Sequence, residues 1–107
     1  MAQFDLHRNN GPLKDTIPYV VVVQSSLFDG YRRRVVVPLV KRSALPAGIA
    51  GTRMNPSFQV LGLELVLHPL DMVSVALDQL GECEGSLAEN GQDIADALDE
   101  LLTRSWH

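Results

Sequence analysis

Apolar positions change their spacing once along this chain. In roughly the first 80 residues they come as alternating or β-branched runs, and near the C-terminus they fall at helical intervals. "AQFDL" alternates, with Phe4 and Leu6 on one face, and predicts a short strand. "NNGPLKD" then predicts a loop, because Gly11 and Pro12 interrupt regular structure. The β signal is strongest in "PYVVVVQSSLFDGYRRRVVVPLV". Its runs Tyr19–Gln24 and Arg33–Leu39 are expected to be antiparallel neighbours, turned by Asp29-Gly30 in a type I′ conformation. Consecutive valines imply that both faces of these strands are covered. Pro38 lacks an amide proton, so it is expected at an edge or bulge. "SFQVLGLELVLHP" reads as a second hairpin turned at Leu61-Gly62, and Val73–Leu77 reads as one more strand.

The period then lengthens. Ile94, Ala97, Leu98, Leu101, Leu102 and Ser105 follow i, i+3, i+4, i+7, i+8, i+11 spacing, the stripe of an amphipathic helix. Ser86 and Glu89 have capping-box spacing, although Asn90-Gly91 can delay the helix start by a turn. Asp93 and Asp96 in the first half and Arg104 near the end suit the helix dipole. Trp106, the only tryptophan, lies about 40° from Leu102 around such a helix. Strands first and one helix last predict a mainly β fold. The expected architecture is a sandwich or small barrel of about five to seven short antiparallel strands in residues 1–85, closed by a C-terminal α-helix over about 88–105. All 107 residues are expected to form a single domain.

Charge and composition narrow the function only slightly. A net charge of -4 argues against general nucleic-acid affinity, which needs a basic surface. The one cysteine, Cys83, permits no intrachain disulfide and fits a reducing compartment. No stretch resembles a signal peptide or is long enough to span a bilayer, so the expectation is a soluble cytoplasmic protein without membrane contact. His7, His68 and His107 are scattered, with no i, i+4 pair and no cysteine pair, so no metal site is expected. Glu82 and Glu84 disfavour a Cys83 thiolate, which argues against a nucleophile there. "YRRR", from Tyr31 to Arg34, is the one basic cluster, read as a solvated strand start in preference to a phosphate grip. Ser25, Ser26 and Asp29 are read as shaping a strand end and turn.

One ordered set of segments goes further. "VVVVQSSLFDGYRRRVVVPLV", the opening Gln3-Phe4, "LHPLDMVSVAL" and "GQDIADALDELL" together resemble the CcdB family of bacterial toxins. The resemblance implies an SH3-like barrel with a C-terminal helix, a homodimer, and no enzymatic activity or cofactor. It implies a poison that binds the A subunit of DNA gyrase and traps the enzyme with cleaved DNA, and a CcdA-like antitoxin that neutralises it. DNA would be contacted only indirectly, through gyrase or the antitoxin complex. The resemblance implies gyrase contacts at Trp106, with His107, Ser105, Arg104 and Leu102 around it, and, carried over by position, at Asp99, Leu27 and Phe28. The antitoxin contacts are Gln3, Phe4, Ser25, Leu27 and Asp99. The family's Trp-Gly-Ile positions fall on Thr103, Arg104 and Ser105, so the tryptophan here stands three residues later. That is nearly one turn, which keeps a similar face about 4.5 Å further out. Two other readings follow: a CcdB-like protein that keeps its antitoxin but has lost or changed its gyrase target, and an RNA-cleaving toxin of the related MazF type. The latter would need Arg32 to Arg34 with His7 or His68 as acid and base.

Overall fold

The computed structural model describes residues 2–104. Its strands are β1 (Asp5–Arg8), β2 (Tyr19–Val22), β3 (Arg33–Lys41), β4 (Ser57–Val60), β5 (Leu63–Leu67), β6 (Val73–Ala76) and β7 (Cys83–Ser86), followed by helix α1 (Gly91–Asp99). They form one antiparallel sheet in the order β4-β5-β3-β2-β1-β7, with β6 also on β3, curled into a half-barrel. The mainly β architecture with one C-terminal helix is therefore as the hydrophobic spacing predicts. No helix among the described residues is long and apolar enough to cross a membrane.

β3 organises the sheet. One of its edges pairs with β2, from Val22↔Val36 to Tyr19↔Leu39. The other edge serves two neighbours: β6 from Arg33↔Ala76 to Val36↔Val73, and β5 from Leu39↔Leu67 to Lys41↔Leu65. Pro38 lies where the partner changes, and its carbonyl accepts from the His68 amide at 3.1 Å. A strand residue's nitrogen and carbonyl point to the same side. The proline's missing donor thus faces the changeover, where it interrupts neither ladder. The expected edge or bulge is instead a switch of partners within the central strand.

The valine runs are covered on both faces. Val21, Val23, Val37 and Leu39 join Leu6, Phe58, Leu65, Leu67, Leu87, Ile94 and Ala97 in the main core. Val22 and Val36, on the opposite face, are also buried. There a pocket of about 250 Å³ lies among Leu13, Ile17, Val20, Val36, Pro38 and Leu80.

The two predicted hairpin turns differ. Leu61 (φ 50°) and Gly62 (φ 84°) join β4 to β5 with Val60 opposite Leu63, the two-residue I′ geometry that matches strand twist. At Asp29-Gly30 there is no such turn. Asp29 is right-handed helical, with φ −64° and ψ −15°, and Ser26–Phe28 form a 3-10 turn within a wider loop. The Gln24 side chain explains the opening. Its Oε1 accepts from the Val35 amide at 3.2 Å, and its Nε2 donates to the carbonyls of Phe28 (3.2 Å) and Arg33 (3.3 Å). A side chain has replaced the next rung of the ladder, and sequence spacing does not reveal that.

Both ends of the chain also depart from the expected pattern. β1 starts at Asp5 because Phe4 takes φ 70°, with its amide donating to Val22 and its carbonyl accepting from Leu87. β1 and β7 pair through Asp5↔Ser86, Leu6↔Gly85 and His7↔Cys83, with a bulge that leaves Glu84 extra. The predicted helix over 88–105 is a composite: a 3-10 turn at Ala88–Asn90, the α-helix Gly91–Asp99, and a wider π turn at Glu100–Arg104. The capping box does not form, since Ser86 Oγ accepts from the Ala88 amide at 3.1 Å and not from that of Glu89.

Two substitutions test this packing. A β-carbon on Gly81 would overlap the Arg8 carbonyl, so Gly81→Ala is expected to cost about 1–3 kcal/mol in urea unfolding, as for other overpacked sites. Ile94, with no exposure, joins α1 to the sheet, and Ile94→Ala should cost about 2–5 kcal/mol in the same measurement.

Candidate partner-binding face

The loop between β2 and β3 is held from inside by polar groups. Ser25 Oγ accepts from the Leu27 amide at 3.2 Å, starting the 3-10 turn. This bears out the reading of Ser25 as a residue that shapes the strand end. Gln24 bridges the base as described above. Arg34 is the correction to the basic cluster: it is buried, 4% exposed, and not a solvated strand start. Its guanidinium donates to the carbonyls of Tyr31 (2.6 Å), Arg33 (2.9 Å) and Asp29 (3.0 Å), and it sits 3.5 Å from the Asp29 carboxylate. Arg33 crosses to β6, donating to Ser74 Oγ and its carbonyl, each at 2.8 Å.

With its backbone satisfied in this way, the loop turns its apolar side chains outward. Leu27 is 86% exposed and Phe28 50%. The Phe28 and Tyr31 rings lie 6.3 Å apart in a tilted contact. Apolar side chains are costly to leave in water, and a cluster of them on a braced loop suits a macromolecular partner.

The end of the helix meets this loop. A groove of about 550 Å³ is lined by Val23, Gln24, Ser25, Phe28, Tyr31, Arg33, Val35 and Met72 together with Leu98 and Leu102 from the helix and its last turn. Leu98 packs on the core, whereas Leu102 is exposed, although the stripe of apolar positions assigned it to the buried face. The π turn at Glu100–Arg104 accounts for the difference, because a wider turn rotates the residues after Asp99 away from a regular α-helical stripe.

The remaining expected contacts are distributed as follows. Gln3 Nε2 donates to the Val23 carbonyl at 2.9 Å, and Phe4 packs against the core. Asp99 belongs to a network in which Arg53 also reaches Asp96 and Glu100, at 3.6, 3.8 and 3.1 Å respectively, while Thr103 hydrogen-bonds Asp99. Its charge is thus engaged within the chain. Arg104 is the last described position, and Ser105, Trp106 and His107 lie outside the described residues.

The residues considered for RNA cleavage are differently employed. Arg34 commits its guanidinium to loop carbonyls, and His7 is buried with Nδ1 2.9 Å from the Gly81 carbonyl. His68 Nδ1 lies 3.4 Å from Asp71. Sequence spacing also missed a grouping of Asp5, His7 and Cys83, whose donor atoms lie within 4.8 Å of one another. The only sequence hint is that Asp5 and His7 are two apart on a strand, since Cys83 arrives through the β1–β7 pairing.

Comparison with known proteins places the chain. The family model described as CcdB protein matches residues 3–103. No curated protein matches. Among solved structures, one described as "Endoribonuclease in complex with its cognate antitoxin from Mycobacterial species" is similar with a TM-score of 0.75 and 13% identity, covering 100% of this chain and 99% of that one. The Mycobacterium tuberculosis toxin MazF-mt6 is similar with a TM-score of 0.72 and 15% identity, covering 95% of this chain and 99% of its own. At such identities these two structures share the fold, while the family match spans nearly the whole sequence. The chain belongs to the CcdB family, toxins of type II toxin–antitoxin systems.

Proposed function

We propose that this protein is a homodimeric toxin that binds the A subunit of DNA gyrase and traps the gyrase–DNA cleavage complex, and that a CcdA-like antitoxin neutralises it. The observation that carries the reading is that Phe28 and Leu102 line one apolar groove, with exposed Leu27 beside Phe28 in the same 3-10 turn. These are sequence-distant positions that the family resemblance assigns to one partner. Trp106 follows Arg104, the last described residue, by two positions in the sequence.

The physical mechanism is differential binding. A protein that binds the cleaved state of an enzyme better than the resealed state raises the population of cleaved complexes by the ratio of the two affinities. No bond is made or broken by the toxin itself. In this reading the braced loop supplies preorganised apolar contact, which limits the ordering cost of association. Trp106 adds a stacking surface for a partner guanidinium, worth about 2 kcal/mol when desolvated. The antitoxin is expected to cover the same region, from Gln3, Phe4, Ser25 and Leu27 to Asp99. The similar endoribonuclease structure, described with its cognate antitoxin, supports that kind of neutralisation. Gyrase and its DNA would be met in the cytoplasm.

Purified protein incubated with gyrase, plasmid and ATP, then denatured, should yield linear DNA in proportion to dose. Trp106→Ala should abolish that product while leaving urea stability within about 0.5 kcal/mol of the parent. A folded, antitoxin-binding protein that yields no linear DNA would instead support a changed target. Leu27→Asp, at an exposed loop position, should weaken gyrase and antitoxin binding by at least about tenfold, read by calorimetry, if Leu27 is a desolvated contact.

A further inference from the structure

Away from the partner-binding face, three metal-binding side-chain types meet where the first strand pairs with the last. Asp5 and His7 share one face of β1, because strand side chains alternate. The bulge between Leu6 and His7 sets Cys83 of β7 opposite His7. A carboxylate oxygen, an imidazole nitrogen and the thiol sulfur lie within 4.8 Å of one another.

The histidine is the second, independent sign of a ligand. It is 5% exposed. Its Nδ1 lies 2.9 Å from the Gly81 carbonyl, while its Nε2 is enclosed without a hydrogen-bond partner among the described residues. A carbonyl can only accept, so Nδ1 carries a proton, and in the neutral ring Nε2 then holds a bare lone pair. Burying such a lone pair forfeits its hydration without compensation. A metal ion would compensate it. A backbone carbonyl holding the far nitrogen of a ligating histidine is the usual way its tautomer and ring orientation are set.

We propose that Asp5, His7 and Cys83 bind one Zn2+ ion through a carboxylate oxygen, Nε2 and Sγ, with the fourth position left to water. Mixed oxygen, nitrogen and sulfur donors suit zinc, whereas magnesium and calcium take oxygen ligands. Bonds of about 2.0–2.3 Å place tetrahedral ligand atoms about 3.3–3.8 Å apart, so the cluster must close by roughly 1 Å. Side-chain rotation of exposed Cys83 and half-buried Asp5 supplies that movement. Binding converts the thiol to a thiolate and releases its proton to solvent. The ion would clamp β7 to β1, and so brace the base from which α1 rises, since the Leu87 amide donates to the Phe4 carbonyl at 2.8 Å.

The full-length protein, reduced and freed of metal by chelation, is titrated with Co2+ as a spectroscopic substitute. A thiolate-to-cobalt charge-transfer band saturating at one equivalent, displaced by Zn2+, is expected. One equivalent of Zn2+ should also raise the midpoint of thermal unfolding. Cys83→Ser should remove the band, and Asp5→Asn should weaken Zn2+ binding by at least about tenfold. Both substitutions lie outside the core, and circular dichroism of the metal-free variants checks that they fold. Absence of the band in the parent protein overturns the proposal. So does Zn2+ affinity unchanged in both variants, which would put the ion on other histidines.

Discussion

The hydrogen-bonding requirement of β3 shapes this molecule. Its nine residues, Arg33–Lys41, need partners along two edges, and one of those edges is divided between β6 and β5. The sheet built around this shared edge curls into a half-barrel. Pro38 makes the division inexpensive, because the one residue without a donor stands where neither neighbour asks for one. The concave face of the curled sheet then receives Ile94 and Ala97 of α1. The N-terminal end of β3 delivers the loop that carries Leu27 and Phe28. Core, helix seat and partner-binding face all follow from how one strand is shared.

That loop illustrates how a polar interior maintains an apolar exterior. Gln24, Ser25 and Arg34 satisfy carbonyls and amides that a tight hairpin would have paired in the ladder. Buried backbone groups must find partners, and here side chains supply them. The apolar side chains are consequently free to face outward. At the other end, Arg53 holds the acidic side of the helix through Asp96, Asp99 and Glu100. These groups are substantially exposed, so the network orients the helix end more than it stabilises the fold.

Fold similarity and functional surface carry different information here. Structures at 13% and 15% identity, one described as an endoribonuclease, overlay most or all of this chain. A barrel is retained through its core periodicity, whereas activity resides in the few side chains mounted on it. In this chain two of the basic residues that an RNA-binding groove would need are committed elsewhere: Arg34 inside the loop and Arg33 across to β6. The family match over residues 3–103 and the groove by the helix end are the features that bear on a partner.

Several elements were legible in the sequence because their causes are local. Alternation and β-branched runs produced β2 to β6, the Leu61-Gly62 turn needs only the backbone freedom of its own residues, and the apolar repeat from Ile94 marks the helix. The family resemblance was legible too, as an ordered set of short segments. The tertiary structure decided whatever depended on residues far apart. Asp29-Gly30 failed to make a tight turn because Gln24 takes the next rung of the ladder. Arg34 went inward because three loop carbonyls required a donor. Leu102 left the buried stripe because the helix widens after Asp99. Asp5, His7 and Cys83 came together only because the first strand pairs with the last, through a bulge whose register no local pattern encodes. Local propensity acts through neighbours in sequence, whereas hydrogen-bond satisfaction and close packing act through neighbours in space.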